Sequence, residues 1–392
     1  MTGAAPLRVG MVAGESSGDQ LGAALITALR ERVPDLQCFG VAGPKMIAAG
    51  CEAWAEADEL AVMGLTEVLP HLPRILWLRA ALIRRFLAAP PDVFVGIDAP
   101  TFNLGVERRL KDQGIKTVQY VAPQVWAWRQ GRARKIGRAC DLVLCLLPFE
   151  TAFYSRHRVQ AVFVGHPLAD QIPLQVDRQA ARAALGLSAA ATIVALLPGS
   201  RIGEIERLGT DFLQAAAWLA ERRPDLEFIA PMATGRAREV FESKRAEVPT
   251  APKISVLEGR AQQALAACDA AIVASGTATL ETLLSRRPMV VAYRFGAFTA
   301  FLLRTLRLVK VPYFSQPNLL LGRALVPEFL QEQVNGAALG EALLGRLSDP
   351  AYLQQLDEAF LEIHETLRGG AAARAADAIL AMLRTGQGQG SL

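Results

Sequence analysis

Short apolar runs recur along this chain, and a stretch of helical spacing follows nearly every one. Candidate strands are Arg8–Ala13, Val93–Ile97, Lys116–Val121, Leu142–Leu146 and Ala161–Val164. The pattern restarts with Thr192–Leu197, Glu227–Ala230, Ile254–Val256, Ala270–Val273 and Met289–Ala292. Helical patterns such as Gln20–Arg32 and Arg207–Arg222 lie between them. Strands alternating with helices build parallel sheets covered on both faces. The chain therefore reads as α/β, with two doubly wound, Rossmann-like domains facing each other across a cleft. The expected boundaries are 1–170, 171–345 and a helical segment 346–392 that packs back on an N-terminal domain.

Composition supports large cores: 52% of the 392 residues are hydrophobic and 20% charged, which excludes a disordered chain. The net charge is only +4, yet the basic residues cluster. No acid falls between Asp112 and Asp141, or between Glu281 and Glu328, although both intervals are rich in Arg and Lys. Such fields suit a phosphorylated ligand or an anionic membrane surface. No nucleic-acid motif accompanies them, so no nucleic-acid partner is expected. The five cysteines lack metal spacing and read as buried free thiols in a reducing compartment. No leader-like segment precedes Leu7, and no apolar run is long enough to span a bilayer. A cytoplasmic protein that touches the membrane from outside is expected.

Ligands of open α/β sheets sit beyond the carboxyl ends of the strands. The strand Ala270–Val273 runs into Ser275-Gly276-Thr277, where a helix starts, with Glu281 one turn further on. Small residues there let a phosphate approach the helix N-terminus. An ordinary strand–helix joint would look similar. Thr192–Leu197 likewise leads into Pro198-Gly199-Ser200-Arg201, with Glu204 nearby. Arg201 is placed to meet a phosphate, though a surface Arg in a turn is the plain alternative. Asn318 and Arg323 are polar groups in an apolar setting and could fix a base or a phosphate.

In the first half, Gly14-Glu15-Ser16-Ser17-Gly18-Asp19 follows strand one. This is not Gly-x-Gly-x-x-Gly, so a dinucleotide fingerprint is absent. Ser16 or Ser17 could equally cap the helix. Asp98 follows Val93–Ile97 and precedes Ala99-Pro100; it reads as a general base or as a helix cap. Trp126, Trp128 and Arg129 suggest a cleft wall, with core packing as the default. The stretch Met63–Leu87 mixes Leu72, Ile75, Leu76 and Phe86 with four arginines, and Phe295–Leu308 repeats the mixture. Each is a core helix or a basic amphipathic surface dipping into lipid.

Taken together, Gly14–Asp19, Gly96–Asn103, Tyr120–Arg129, Leu147–Glu150, Val164–Leu168, Leu197–Arg201, Ala274–Glu281 and Pro317–Glu328 resemble the lipid-A-disaccharide synthases, in the family's order. The chain departs at Thr101, where the family usually carries a second acid; Asp98 itself is kept. The resemblance implies a B-type glycosyltransferase fold bound to the inner face of the cytoplasmic membrane. It implies transfer of a 2,3-diacylglucosamine unit from UDP-2,3-diacylglucosamine to 2,3-diacylglucosamine 1-phosphate (lipid X), giving the β-1′,6-linked disaccharide and UDP with inversion. No metal or other cofactor is implied. On this view Asp98 is the general base. Ser200, Arg201, Ser275, Gly276, Thr277, Glu281, Asn318 and Arg323 hold the UDP-sugar. Gly14, Glu15, Ser16, Ser17, Trp126 and Arg129 line the acceptor side, and Leu72, Ile75, Leu76 and Phe86 face the membrane. A homodimer is left open. Competing readings are another UDP-sugar transferase or an epimerase of the same fold, and a non-enzymatic nucleotide-binding membrane adaptor.

Overall fold

The computed structural model describes residues 6–57, 68–126, 130–296 and 312–387, with backbone only at 68–72 and 386–387. The chain forms two compact units, residues 1–170 with 367–392 and residues 171–366.

The first unit holds seven parallel strands: β1 (Arg8–Ala13), β2 (Gln37–Ala42), β3 (Cys51–Glu56), β4 (Val93–Ile97), β5 (Lys116–Tyr120), β6 (Leu142–Cys145) and β7 (Ala161–Phe163). Their order is β3-β2-β1-β4-β5-β6-β7, so the winding reverses between β1 and β4. The second unit holds β8 (Thr192–Leu197), β9 (Leu226–Met232), β10 (Ile254–Glu258), β11 (Ala270–Ala274), β12 (Met289–Tyr293) and β13 (Glu328–Leu330), in the order β10-β9-β8-β11-β12-β13. There the reversal lies between β8 and β11. The central strands are buried on both faces, which is why they read as continuous apolar runs. These reversals are where open α/β sheets part and receive ligands.

The helix Pro350–Leu367 belongs to the second unit up to Thr366; the return to the first begins at Leu367. The last helix, Ala371–Gln387, buries Ala375, Ala376 and Ile379 in the core around β1 and β4. Asp170 secures that return by accepting the N–H groups of Gly369, Gly370 and Ala371 at 2.9, 2.9 and 2.7 Å. Burial pushes its carboxyl up, but these three donors together with the charge of Arg368 hold it below the ordinary value.

The helix Val68–Ala88 divides its apolar residues between two faces. Leu78, Leu82 and Phe86 are buried against Phe39, Phe94 and Phe102, with Ile75 packed at their edge. Phe86 is therefore a core residue and not membrane-facing: its ring lies tilted against Trp54 at 4.9 Å and edge-on to Phe94 at 5.1 Å, and it is fully buried. Leu78, Leu82 and Phe86 follow one another at four-residue intervals, which places Phe86 on the inner stripe. The outer side carries Leu76, 44% exposed, and Trp77, 66% exposed, with Leu87 also exposed. The side chain of Leu72 and most of Phe295–Leu308 lie outside the described residues. Among the described residues no helix is long and apolar enough to cross a membrane. All five cysteines are buried and free.

Candidate active site

At the reversal of the first sheet, Gly14 follows the last residue of β1 and Asp98 the last residue of β4. Gly14 is buried, while Glu15, Ser16 and Ser17 are exposed at the start of the helix Ser16–Arg32. Neither serine caps that helix; its N-cap is Glu15, which makes no side-chain capping bond. Asp98 does not cap a helix either, because the N-cap of Pro100–Lys111 is Ala99.

What fixes Asp98 is its backbone. Asp98 and Ala99 hold positive φ values of 51° and 40°, and Val121 opposite holds 77°. Left-handed non-glycine residues cost on the order of 1–3 kcal/mol each and persist only where their surroundings over-determine them. Two buried amides supply that constraint. Asn103 Nδ2 donates to Asp98 O at 2.9 Å and also to Val12 O and Ile97 O, both at 3.3 Å, which ties the two strand ends together. Gln119 Nε2 donates to Asp98 O at 3.1 Å. The carboxyl is half-buried, and burial raises its pKa against a lowering bond from the Ala99 N–H. The turn thus holds Asp98 by its backbone carbonyl, while its carboxyl accepts the Ala99 N–H.

Behind it lies a further polar group that sequence reasoning missed. A Cβ on Gly96 would stand 2.3 Å from Glu107 Oε1 and 3.0 Å from Asn103 Cγ, so the absent side chain makes room for both. Gln119 is the register neighbour of Gly96 on β5. Asn103 Oδ1, Gln119 Oε1 and both Glu107 oxygens are buried without a hydrogen-bond partner among the described residues. These unpartnered acceptors are gathered around Gly96, and a proton on Glu107 would give them a donor. Burial accordingly raises its pKa well above the ordinary 4.5, against a smaller opposing pull from Lys111. The sign follows: the folded chain keeps a proton that the unfolded chain sheds, so this stability is full at low pH and lost as pH rises toward the folded value. Glu107→Gln should flatten that fall, measured by urea denaturation at pH 5 and pH 8. Equal losses in variant and parent would show that Glu107 is not held protonated.

In the second unit a cavity of about 460 Å³ opens at the reversal between β8 and β11. It gathers Ser200, Arg201, Ser275, Gly276, Thr277 and Glu281, along with Met232, Ala233 and Gly259 from the ends of β9 and β10. Two helices begin on its wall. The helix Thr277–Leu284 follows Gly276, whose φ of 149° suits glycine. Thr279 N–H turns back to Gly276 O at 3.1 Å, which leaves the N–H groups of Thr277 and Ala278 for an anion. The helix Ile202–Arg222 follows Arg201. Glu204 wraps that turn, accepting the N–H groups of Ser200 and Arg201 at 3.1 and 3.3 Å, while the Arg201 side chain is exposed. Glu281 is half-buried, and burial raises its pKa while a hydrogen bond from Gln262 lowers it.

The family model for lipid-A-disaccharide synthetase matches residues 9–379. The chain belongs to the lipid-A-disaccharide synthase family. The Serratia proteamaculans lipid-A-disaccharide synthase is 51% identical over 379 residues, covering 97% of this chain and 99% of that one. The Yersinia pseudotuberculosis enzyme is 52% identical over 375 residues, covering 96% and 95%. The protein is accordingly a glycosyltransferase of lipid A biosynthesis. Among solved structures, a glycosyltransferase of kitacinnamycin aligns with a TM-score of 0.60 at 18% identity, covering 96% of this chain and 99% of that one. The UDP-GlcNAc 2-epimerase of Neisseria meningitidis aligns at 0.63 and 11%, covering 97% and 100%. At such identities the likeness speaks to fold alone, the B-type glycosyltransferase fold.

Within this synthase family member, three expected site residues serve the scaffold or stand apart. Asn318 does not face a ligand. It is buried, and its amide is saturated: Nδ2 donates to Val326 O and Glu328 Oε1 at 2.8 Å each, and Oδ1 accepts the N–H groups of Leu325 and Val326 at 2.9 Å each. It shapes the loop before β13. Arg323 is exposed on that loop and is not among the residues lining the cavity. Trp126 is buried; its Nε1 donates to Glu150 Oε1 at 3.1 Å, and its ring meets Phe149 edge-on at 4.9 Å. Burial pushes the Glu150 carboxyl up to about 7 in spite of that bond. Its indole braces the helix Pro148–Arg156, so the default core role of an aromatic residue holds here. Arg129 lies outside the described residues.

Proposed function

We propose that this synthase transfers 2,3-diacylglucosamine from UDP to the 6-hydroxyl of 2,3-diacylglucosamine 1-phosphate in one inverting displacement. The observation that carries the donor half is the cavity joining Arg201 to the open N-terminus of Thr277–Leu284. A cation and two helix starts suit the diphosphate, and Glu281, one turn in, suits the ribose hydroxyls. The solved proteins of this fold include a Neisseria epimerase bound to UDP-GlcNAc and an Anabaena protein in complex with UDP and glucose, which supports a UDP-sugar here. Asp98 supplies the base, taking the hydroxyl proton as oxygen attacks the anomeric carbon and the bond to UDP breaks. The proposal requires both units to serve the same substrate pair. Its test is UDP release from UDP-2,3-diacylglucosamine on addition of the phosphorylated acceptor, with the product's linkage read by NMR. Binding of the UDP-sugar without release of UDP would make the protein a nucleotide-binding adaptor instead.

We further propose contact with the cytoplasmic face of the inner membrane, through the exposed side of Val68–Ala88. Replacing Leu76 and Trp77 together by Ser should reduce sedimentation with anionic vesicles several-fold and leave the melting temperature unchanged. Undiminished sedimentation would remove this helix from the membrane contact.

A further inference from the structure

The first unit carries a second large depression, of about 780 Å³, that none of the roles above uses. It runs along the outside of the helix Pro100–Lys111, between the helix Val68–Ala88 and the segment Gln130–Ala139. Six basic side chains line it: Arg79, Arg108, Arg109, Arg132, Lys135 and Arg138. The one lining acid, Asp112, is engaged by Arg108 at 3.0 Å. The other five cations have no carboxylate partner among the described residues. Leu104 and Ile136 give the same groove an apolar floor.

Its position relates it to the reaction. The groove begins at Pro100 and Thr101, immediately after the strained Asp98–Ala99 turn. Gly105 lies one helical turn beyond Thr101, about 6 Å along the axis at 1.5 Å per residue. Arg79 is laid across that glycine: a Cβ there would stand 2.7 Å from Arg79 Nη1. One turn before Arg79 on its own helix is the exposed Leu76, beside Trp77. Read along its length, the surface therefore offers an acid, then a cationic trough with an apolar floor, then an apolar outer face. A ligand matching that sequence has a hydroxyl to deprotonate, a phosphate about one sugar ring away, and acyl chains.

We infer that this groove is the acceptor site, with the phosphate of a phosphorylated, acylated sugar held by Arg79 and the cations of the Gln130–Ala139 segment. The inference rests on the proposed reaction and adds where the acceptor is read and by what. Thr101 fits it, since an uncharged residue at the mouth does not compete with the phosphate for the arginines.

The test removes the charge from each side in turn. Acceptor KM is measured for the parent and for Arg79→Gln, Arg132→Gln and the double variant, with 2,3-diacylglucosamine 1-phosphate and with its dephosphorylated analogue. Equilibrium binding of both acceptors is measured in the same detergent. With the phosphorylated acceptor, each substitution should raise KM on the order of tenfold, as loss of a charge-assisted hydrogen bond implies, with donor KM unchanged. With the dephosphorylated acceptor, parent and variants should be equally poor. Equal losses with both acceptors would overturn the assignment, because the arginines would not be reading the phosphate. Losses that disappear in detergent and return on anionic vesicles would also overturn it, making the groove a headgroup contact. Charge-dependent acceptor binding with no turnover in the parent would keep the groove and reject the reaction.

Discussion

Asp98→Asn is expected to lower kcat by about 10²–10⁴-fold, the usual contribution of a positioned general base, while UDP binds as before. The substitution keeps the shape and removes the charge. It should not disturb the turn, because Asn103 and Gln119 hold Asp98 by its carbonyl and not by its carboxyl. UDP affinity is the internal control, since the donor cavity is lined wholly by the second unit. The pH profile gives a second readout. A base works ionised, so the rate falls as pH drops through its pKa. Burial raises that pKa from the ordinary 3.8, so the acid limb of kcat/KM should lie above the normal carboxylate range. Near-normal turnover by the Asn variant, at any pH, would take the base role away from Asp98.

Much of this architecture is legible in the chain itself, because strands buried on both faces must be apolar throughout. β1, β4 and β8 were readable to the residue, and the other interior strands to within a few residues. Three strands were not readable. β2 carries Gln37 and Gly40, β3 alternates small and acidic residues with only Cys51 buried, and β13 is a three-residue edge. β3 and β13 are edge strands, which demand little hydrophobicity and leave little trace; β2 is interior, and its polar start and its glycine break the apolar run. The same physics explains the site. Strand ends at the two reversals locate Asp98 in the first unit, and Arg201 with Ser275–Glu281 in the second. Side chains that point inward are another matter. Asn318 and Trp126 look like ligand groups in sequence, but their partners, Glu328 and Glu150, lie 10 and 24 residues away. Nothing local tells a saturated amide from a free one. Glu107 was invisible for the converse reason: a carboxyl four residues after Asn103 looks like an exposed helix charge until Gly96 is seen to open the space beneath it.

Arg201→Ala should cost about 10²–10³-fold in kcat, the scale seen when one preorganised donor to a developing anion is removed. The departing UDP gains charge on its diphosphate as the sugar bond breaks. Helix N-terminal N–H groups and Arg201 can meet that charge without reorganising, because both belong to rigid strand–helix joints. Arg201 sits where β8 gives way to its helix, and Glu204 accepts the N–H groups of Ser200 and of Arg201 itself. Glu204 is an acid beside an anion site, yet its capping bonds occupy it and orient the arginine outward. Lysine at 201 should restore only part of the rate, since a point charge cannot make the paired contacts of a guanidinium. Ser275→Ala should cost far less than Arg201→Ala. The Ser275 hydroxyl is already committed to Phe314 O at 2.8 Å and its N–H to Ala292 O at 2.9 Å, so neither is left over for the donor. The ordering of these two variants therefore tests the geometry itself. A donor KM that rises on loss of Arg201 while kcat holds would mean that Arg201 binds the substrate's ground state alone. Leaving-group stabilisation would then fall to the helix Thr277–Leu284.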